Sequence, residues 1–148
     1  MAEKTIALLG QPNSGKSTLF NGLTGSRQHV GNWPGKTVER KDGFFSYNDV
    51  TYKIVDLPGT YSLSANSDEE VVTRNYISSG EANLVCILAD ASQLNRSLFM
   101  LADYAGIHVP VVLLFVCRNH RNNRNPQGFL QTRYIDFLSL SLGYIHHI

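Results

Sequence analysis

The chain has 148 residues, 43% of them hydrophobic and 17% charged, with a formal net charge of +1. That length suits one domain with a single core, and the composition excludes a disordered chain. A near-neutral balance gives no bulk attraction to nucleic acid or anionic lipid, and two cysteines, Cys86 and Cys117, are too few for a disulfide framework.

Met1–Lys4 is charged and leads straight into an apolar run, so no targeting segment is expected. The longest apolar run, Val109–Cys117, is far short of the ~20 residues that cross a bilayer. A soluble, cytoplasmic chain is the expectation.

Thr5–Leu9 predicts a strand stopped by Gly10, and Lys16 to about Leu23 a helix ended by Gly25. Ser26–Lys36 is polar and marked by Gly, Asn and Pro, which predicts an exposed loop. Thr37–Tyr47 and Thr51–Val55 read as strands joined by the turn-forming pair Asn48-Asp49, a hairpin. Ser67-Asp68-Glu69-Glu70 fits a capping box, opening a helix to about Ser79 that Gly80 closes. Leu84–Ala89 predicts a strand, and Ser92–Ala105 a helix with Leu94, Leu98 and Leu101 on one face and Gly106 as its stop. Val109–Val116 is another apolar strand.

Strands that are apolar on both faces and alternate with helices imply an α/β fold, a three-layer sandwich around a mainly parallel sheet. Composition shifts at Arg118. From there to Arg133 the chain carries four Arg, four Asn and one His, with no Lys or acidic residue. Residues 1–117 are therefore expected to form the domain core, and 118–148 a divergent or truncated segment. Four Arg without interleaved aromatics read as a solvated stretch, and no nucleic-acid partner is expected.

Gly10-Gln11-Pro12-Asn13-Ser14-Gly15-Lys16-Ser17 matches G-x-x-x-x-G-K-[ST] between a strand and a helix. Gly10 and Gly15 let the backbone curl so that successive N–H groups, through Asn13 and Ser14, face phosphate oxygens. Lys16 reaches the β- and γ-phosphates, Ser17 supplies a hydroxyl to Mg²⁺, and the helix start, with Thr18 in its first turn, adds a positive dipole. Asp56-Leu57-Pro58-Gly59 follows an apolar strand. There Asp56 would hold Mg²⁺ through water, and Gly59 would turn its amide toward the γ-phosphate. Thr37, at the end of the loop 26–36, would close over the nucleotide and complete the Mg²⁺ shell.

These segments together resemble the G domain of FeoB-type ferrous iron transporters. Gly10–Asn21 (GQPNSGKSTLFN) resembles the family's first motif, and His29–Glu39 (HVGNWPGKTVE) its first switch. Asp56–Leu63 (DLPGTYSL) resembles its second switch, and Asp90-Ala91-Ser92 with Leu94, Arg96 and Leu98 a later helix start. The likeness covers residues 4–114. It implies a Ras-like P-loop NTPase that hydrolyses GTP to GDP and phosphate, with Lys16, Thr37 and Gly59 at the chemistry. It also implies Mg²⁺ on Ser17, Thr37 and Asp56, and an activating K⁺ held by Asn13 with switch backbone at Gly31, Asn32 and Trp33. Ras-like enzymes place a water-orienting Gln after the glycine matched by Gly59. This chain has Thr60 there, so slow hydrolysis is expected. Family members couple this cytoplasmic domain to Fe²⁺ uptake through a helical regulatory domain and a permease in the bacterial inner membrane.

The sequence departs from the family at the guanine-reading motif. An N-x-x-D should fall at 116–119, where the chain reads Val116-Cys117-Arg118-Asn119, and no carboxylate appears before Asp136. A lost bidentate pair to the base removes about 10⁴–10⁵-fold discrimination, so an impaired guanine site is expected. Two explanations stand for 118–133: a frameshifted copy, or a divergent loop with its own base contacts. The chain reaches Ile148 before the later family segments, so the sandwich is expected to be incomplete at its C-terminus. A translation- or ribosome-associated P-loop GTPase and an inactive remnant are the alternative readings.

Overall fold

The strand that organises the molecule is β1, Lys4–Gly10, whose alternate side chains are buried on both sides. In the computed structural model the described residues are 3–63, 66–93, 95–96, 102–103, 109–116 and 138–140. Helix α1 spans Lys16–Thr24, β2 Gln28–Asn32, β3 Glu39–Tyr47, β4 Val50–Asp56 and α2 Asp68–Ser78. β5 spans Leu84–Asp90, β6 Val111–Val116 and β7 Leu138–Leu140. The sheet order is β2-β3-β4-β1-β5-β6-β7.

A parallel centre, β4-β1-β5-β6, is flanked by antiparallel strands on both sides. This is the P-loop α/β sandwich that the strand–helix alternation predicts. Leu8, Ile54, Leu88 and Phe20 of α1 pack on one face. Ala7, Leu9, Val55, Val85 and Ile87 pack on the other with Tyr76 and Ile77 of α2. The registers Leu8↔Asp56 and Gly10↔Leu88 bring the carboxyl ends of three parallel strands to one edge. Ligands of open α/β sheets bind beyond that edge. No helix among the described residues is long and apolar enough to cross a membrane.

The expected hairpin forms. Asn48 and Asp49 have φ of 48° and 61°, the left-handed pair that a two-residue turn between Tyr47 and Val50 requires. Ser26–Lys36, expected as a loop, contains strand β2, paired with β3 from Gln28↔Gly43 to Asn32↔Glu39. Its side chains are mostly exposed, so no apolar alternation marked it; the neighbouring backbone supplies its order. The capping box also differs in detail. Ser67 Oγ accepts from the Glu70 N–H at 3.2 Å, but the Glu70 carboxylate accepts from Asn66 N–H and Ser62 Oγ, each at 2.9 Å. The predicted helix 92–105 lies mostly outside the described residues, which show a 3₁₀ turn at Ala91–Gln93 and helical backbone at 95–96 and 102–103. Cys117 and 118–133 lie outside them altogether.

Candidate phosphate-binding site

The loop between β1 and α1 has the backbone of an anion nest. Asn13 and Gly15 adopt φ of 64° and 90°, positive values of the kind found in such nests. The Ser14 N–H between them, expected to face phosphate, instead donates to the Gln11 carbonyl at 3.1 Å. Gly15 caps α1 without a side-chain hydrogen bond, and no acidic residue occupies the first turn. The positive end of the helix is thus left for an anion.

Gly10 is required by close approach. A Cβ there would stand 2.6 Å from Ser14 Oγ and 3.2 Å from Leu88 Cβ. Gly59 plays a similar part across the gap, where a Cβ would meet the Pro12 backbone nitrogen at 3.3 Å. Thr60 N–H donates to the Gly10 carbonyl at 3.3 Å, locking the segment after β4 onto the loop. Ser14 Oγ and Thr60 Oγ1 are buried there without a partner.

Lys16 lies over this junction. Its ammonium bonds to the Asp56 carboxylate and, at 2.7 Å, to the Leu57 carbonyl. Both side chains of the ion pair are about nine-tenths buried, at 10% and 9% exposure. A cleft of about 550 Å³ runs along Gln11–Asn13, Gly15–Thr18 and Gly59. A second hollow of about 360 Å³ shares Lys16 and Ser17 with it and is walled by Thr37 and Asp56.

The structure thus brings Asn13, Gly15, Lys16, Ser17, Thr18, Thr37, Asp56 and Gly59 to the cleft walls, with Gly10 and Ser14 packed beneath. Gly31 and Asn32 lie on exposed β2 and form no wall of either hollow. The Trp33 indole is buried in the core against Tyr76. Sequence reasoning missed Glu39, Lys41 and Glu69, which line the hollow beside Thr37. The register Lys41↔Asp56 is what delivers Lys41 there, and a pairing register is not written in any local motif. The Glu39 carboxylate, bonded to Lys41 at 2.6 Å, raises the pKa of that ammonium above its ordinary value.

Two hydroxyls and a carboxylate, from Ser17, Thr37 and Asp56, are hard oxygen donors of the kind Mg²⁺ takes. Residues 4–127 match the family model described as Ferrous iron transport protein B. The chain belongs to that family. A ferrous iron transport protein B relative, the Fe(2+) transporter FeoB of Methanocaldococcus jannaschii, is 52% identical over 100 residues. That match covers 68% of this chain and 15% of the relative, so the chain spans only a small part of the transporter's length. The crystal structure of the T. maritima FeoB G domain superposes with a TM-score of 0.74 at 44% identity, covering 77% of this chain and 72% of that one. The T. maritima FeoB cytosolic domain in a GDP form gives a TM-score of 0.72 at 44% identity, covering 76% and 44%.

Proposed function

We propose that this chain is a guanine-nucleotide-binding, GTP-hydrolysing module of a ferrous iron uptake transporter, working on the cytoplasmic side of the membrane. The observation that carries this reading is the meeting of Lys16, Ser17, Thr37 and Asp56 around one hollow that opens from the nest at Asn13–Gly15. Family membership and the GDP form of the T. maritima domain support guanine nucleotide as the ligand. The helical regulatory domain and the permease would be its partners in the whole transporter.

In this reading Lys16 exchanges its bond to Asp56 for phosphate oxygens, and the loop amides with the α1 dipole hold the remaining charge. Ser17, Thr37 and Asp56 would hold Mg²⁺, which neutralises charge on the phosphates. Asn13 would hold K⁺. Gly59 places its amide at the γ-phosphate side, while buried Thr60 offers no amide side chain to orient water, so turnover is slow. The base side is impaired, because Val116 ends β6 where the family carries Asn.

The test is turnover of GTP by the full chain in K⁺ and in Na⁺, with GDP, ADP and pyrophosphate titrated in parallel. K⁺-stimulated hydrolysis abolished by Lys16→Ala, with GDP and ADP binding alike, is the expected outcome. Equal rates in the two salts would count against the K⁺ role, and strong preference for GDP over ADP against an impaired base site.

A further inference from the structure

Thr37 is carried on a short loop whose two ends are fixed in the core. The Trp33 N–H donates to the Val38 carbonyl at 2.9 Å, and the Lys36 N–H to the Trp33 carbonyl at 3.0 Å. Trp33 and Val38 are buried, whereas Pro34–Thr37 between them are exposed. The indole walls neither hollow of the phosphate site. It is gripped from two sides instead. Tyr76 of α2 meets it edge-on, with centroids 5.3 Å apart and planes at 66°. The Arg40 guanidinium sits 4.5 Å over its ring.

Arg40 is fixed in turn by two bonds to Asp42, at 2.9 and 3.0 Å, and Lys53 pairs with the same carboxylate at 3.2 Å. The indole Nε1 has no hydrogen-bond partner, so shape and ring electrostatics hold it rather than its N–H. A second tether, Lys36 to Asp68 at 2.6 Å, lies in solvent, where such pairs contribute little. The restraint on the loop is therefore the buried one. The helix that supplies Tyr76 also holds the second switch, through Glu70 to Ser62.

We infer that Trp33 is a positioning residue whose indole, clamped between Arg40 and Tyr76, fixes the loop that presents Thr37 to the Mg²⁺ hollow. The clamp sets the magnesium requirement of turnover and leaves GDP affinity alone. This rests on the nucleotide reading proposed above.

The experiment measures GTP turnover against Mg²⁺ concentration for the full chain and for Arg40→Gln and Tyr76→Leu, with GDP affinity alongside. Trp33 is the only tryptophan, so quenching of its fluorescence by acrylamide reports the clamp directly. Loss of the cation over the ring should raise the half-saturating Mg²⁺ about three- to thirtyfold and expose the indole to quencher, with GDP affinity unchanged. Trp33→Phe should retain more of the wild-type magnesium response than Trp33→Leu. If Tyr76→Leu unfolds, Arg40→Gln, at a half-buried site, carries the measurement. An unchanged magnesium requirement in a folded variant overturns the inference, as does a parallel loss of GDP affinity. A wild-type chain without any GTP turnover removes the nucleotide reading itself, and this inference with it, a result visible before any variant is made.

Discussion

The ammonium of Lys16 is bonded to the carboxylate of Asp56, joining the first turn of α1 to the end of β4 across the phosphate cleft. The two residues are 40 positions apart in sequence and meet because β4 lies parallel beside β1, with Leu8 opposite Asp56. In the nucleotide reading proposed above, phosphate oxygens would compete for the same ammonium, and ligand binding would exchange one charge pair for another.

Removing one partner leaves the other charge buried alone. Lys16→Met should lower folding stability by about 3–5 kcal/mol, and Lys16→Met with Asp56→Leu should recover much of that loss. Urea denaturation of the single and double variants measures both. A single variant as stable as the wild type would mean that water reaches the pair freely.

Gly43 of β3 tests how closely α1 is seated on the sheet. A Cβ there would fall 2.3 Å from Thr24 Cγ2 and 3.0 Å from Phe20 Cζ. Gly43→Ala should therefore cost about 1–3 kcal/mol through overpacking. Thr24→Ser deletes the offending methyl while keeping the hydroxyl bond to the Phe20 carbonyl, 2.7 Å in the native chain, and should relieve part of the loss. Neither residue walls the cleft, so GDP affinity should stay constant through the series.

Two buried groups contribute to the alkaline limit of the fold. Burial pushes the Cys86 thiol from 9.0 up to about 11 and the Tyr76 phenol from 10.0 up to about 12. The folded chain holds these protons where an unfolded one releases them. Their contribution is intact below pH 9 and is lost as pH rises toward 12. Thermal melts across that range should show the decline, and Tyr76→Phe should flatten its upper part. An undiminished melting temperature at the top of the range would contradict the burial of both groups.

The phosphate loop was legible because its chemistry demands fixed spacing within eight consecutive residues, Gly10 to Ser17, flanked by an apolar run and a helix. The Asn48-Asp49 turn was legible for a related reason, since a two-residue reversal admits few residue types. Strand β2 was not, because it buries almost nothing and borrows its order from β3. The core position of Trp33 was hidden by its setting between Asn32 and Pro34-Gly35, which reads as an open turn. Glu39, Lys41 and Glu69 reach the cleft through strand register and the first turn of α2, and long-range pairing leaves no trace in a local window.

Strand β2 lies at the rim of the sheet, bonded on one side only and wetted along most of its length. Such a ribbon frays readily, because separating it uncovers little oily surface. Gln28 itself is anchored, its side-chain amide donating to Asn21 Oδ1, Thr24 Oγ1 and the Gly25 carbonyl at the end of α1. Fraying would therefore be confined to His29–Asn32 and halt at the next residue, where a large ring is sunk in the interior. The segment leading to Thr37 therefore has a loose stretch held between two anchors, so shape changes within it should leave Thr37 undisturbed.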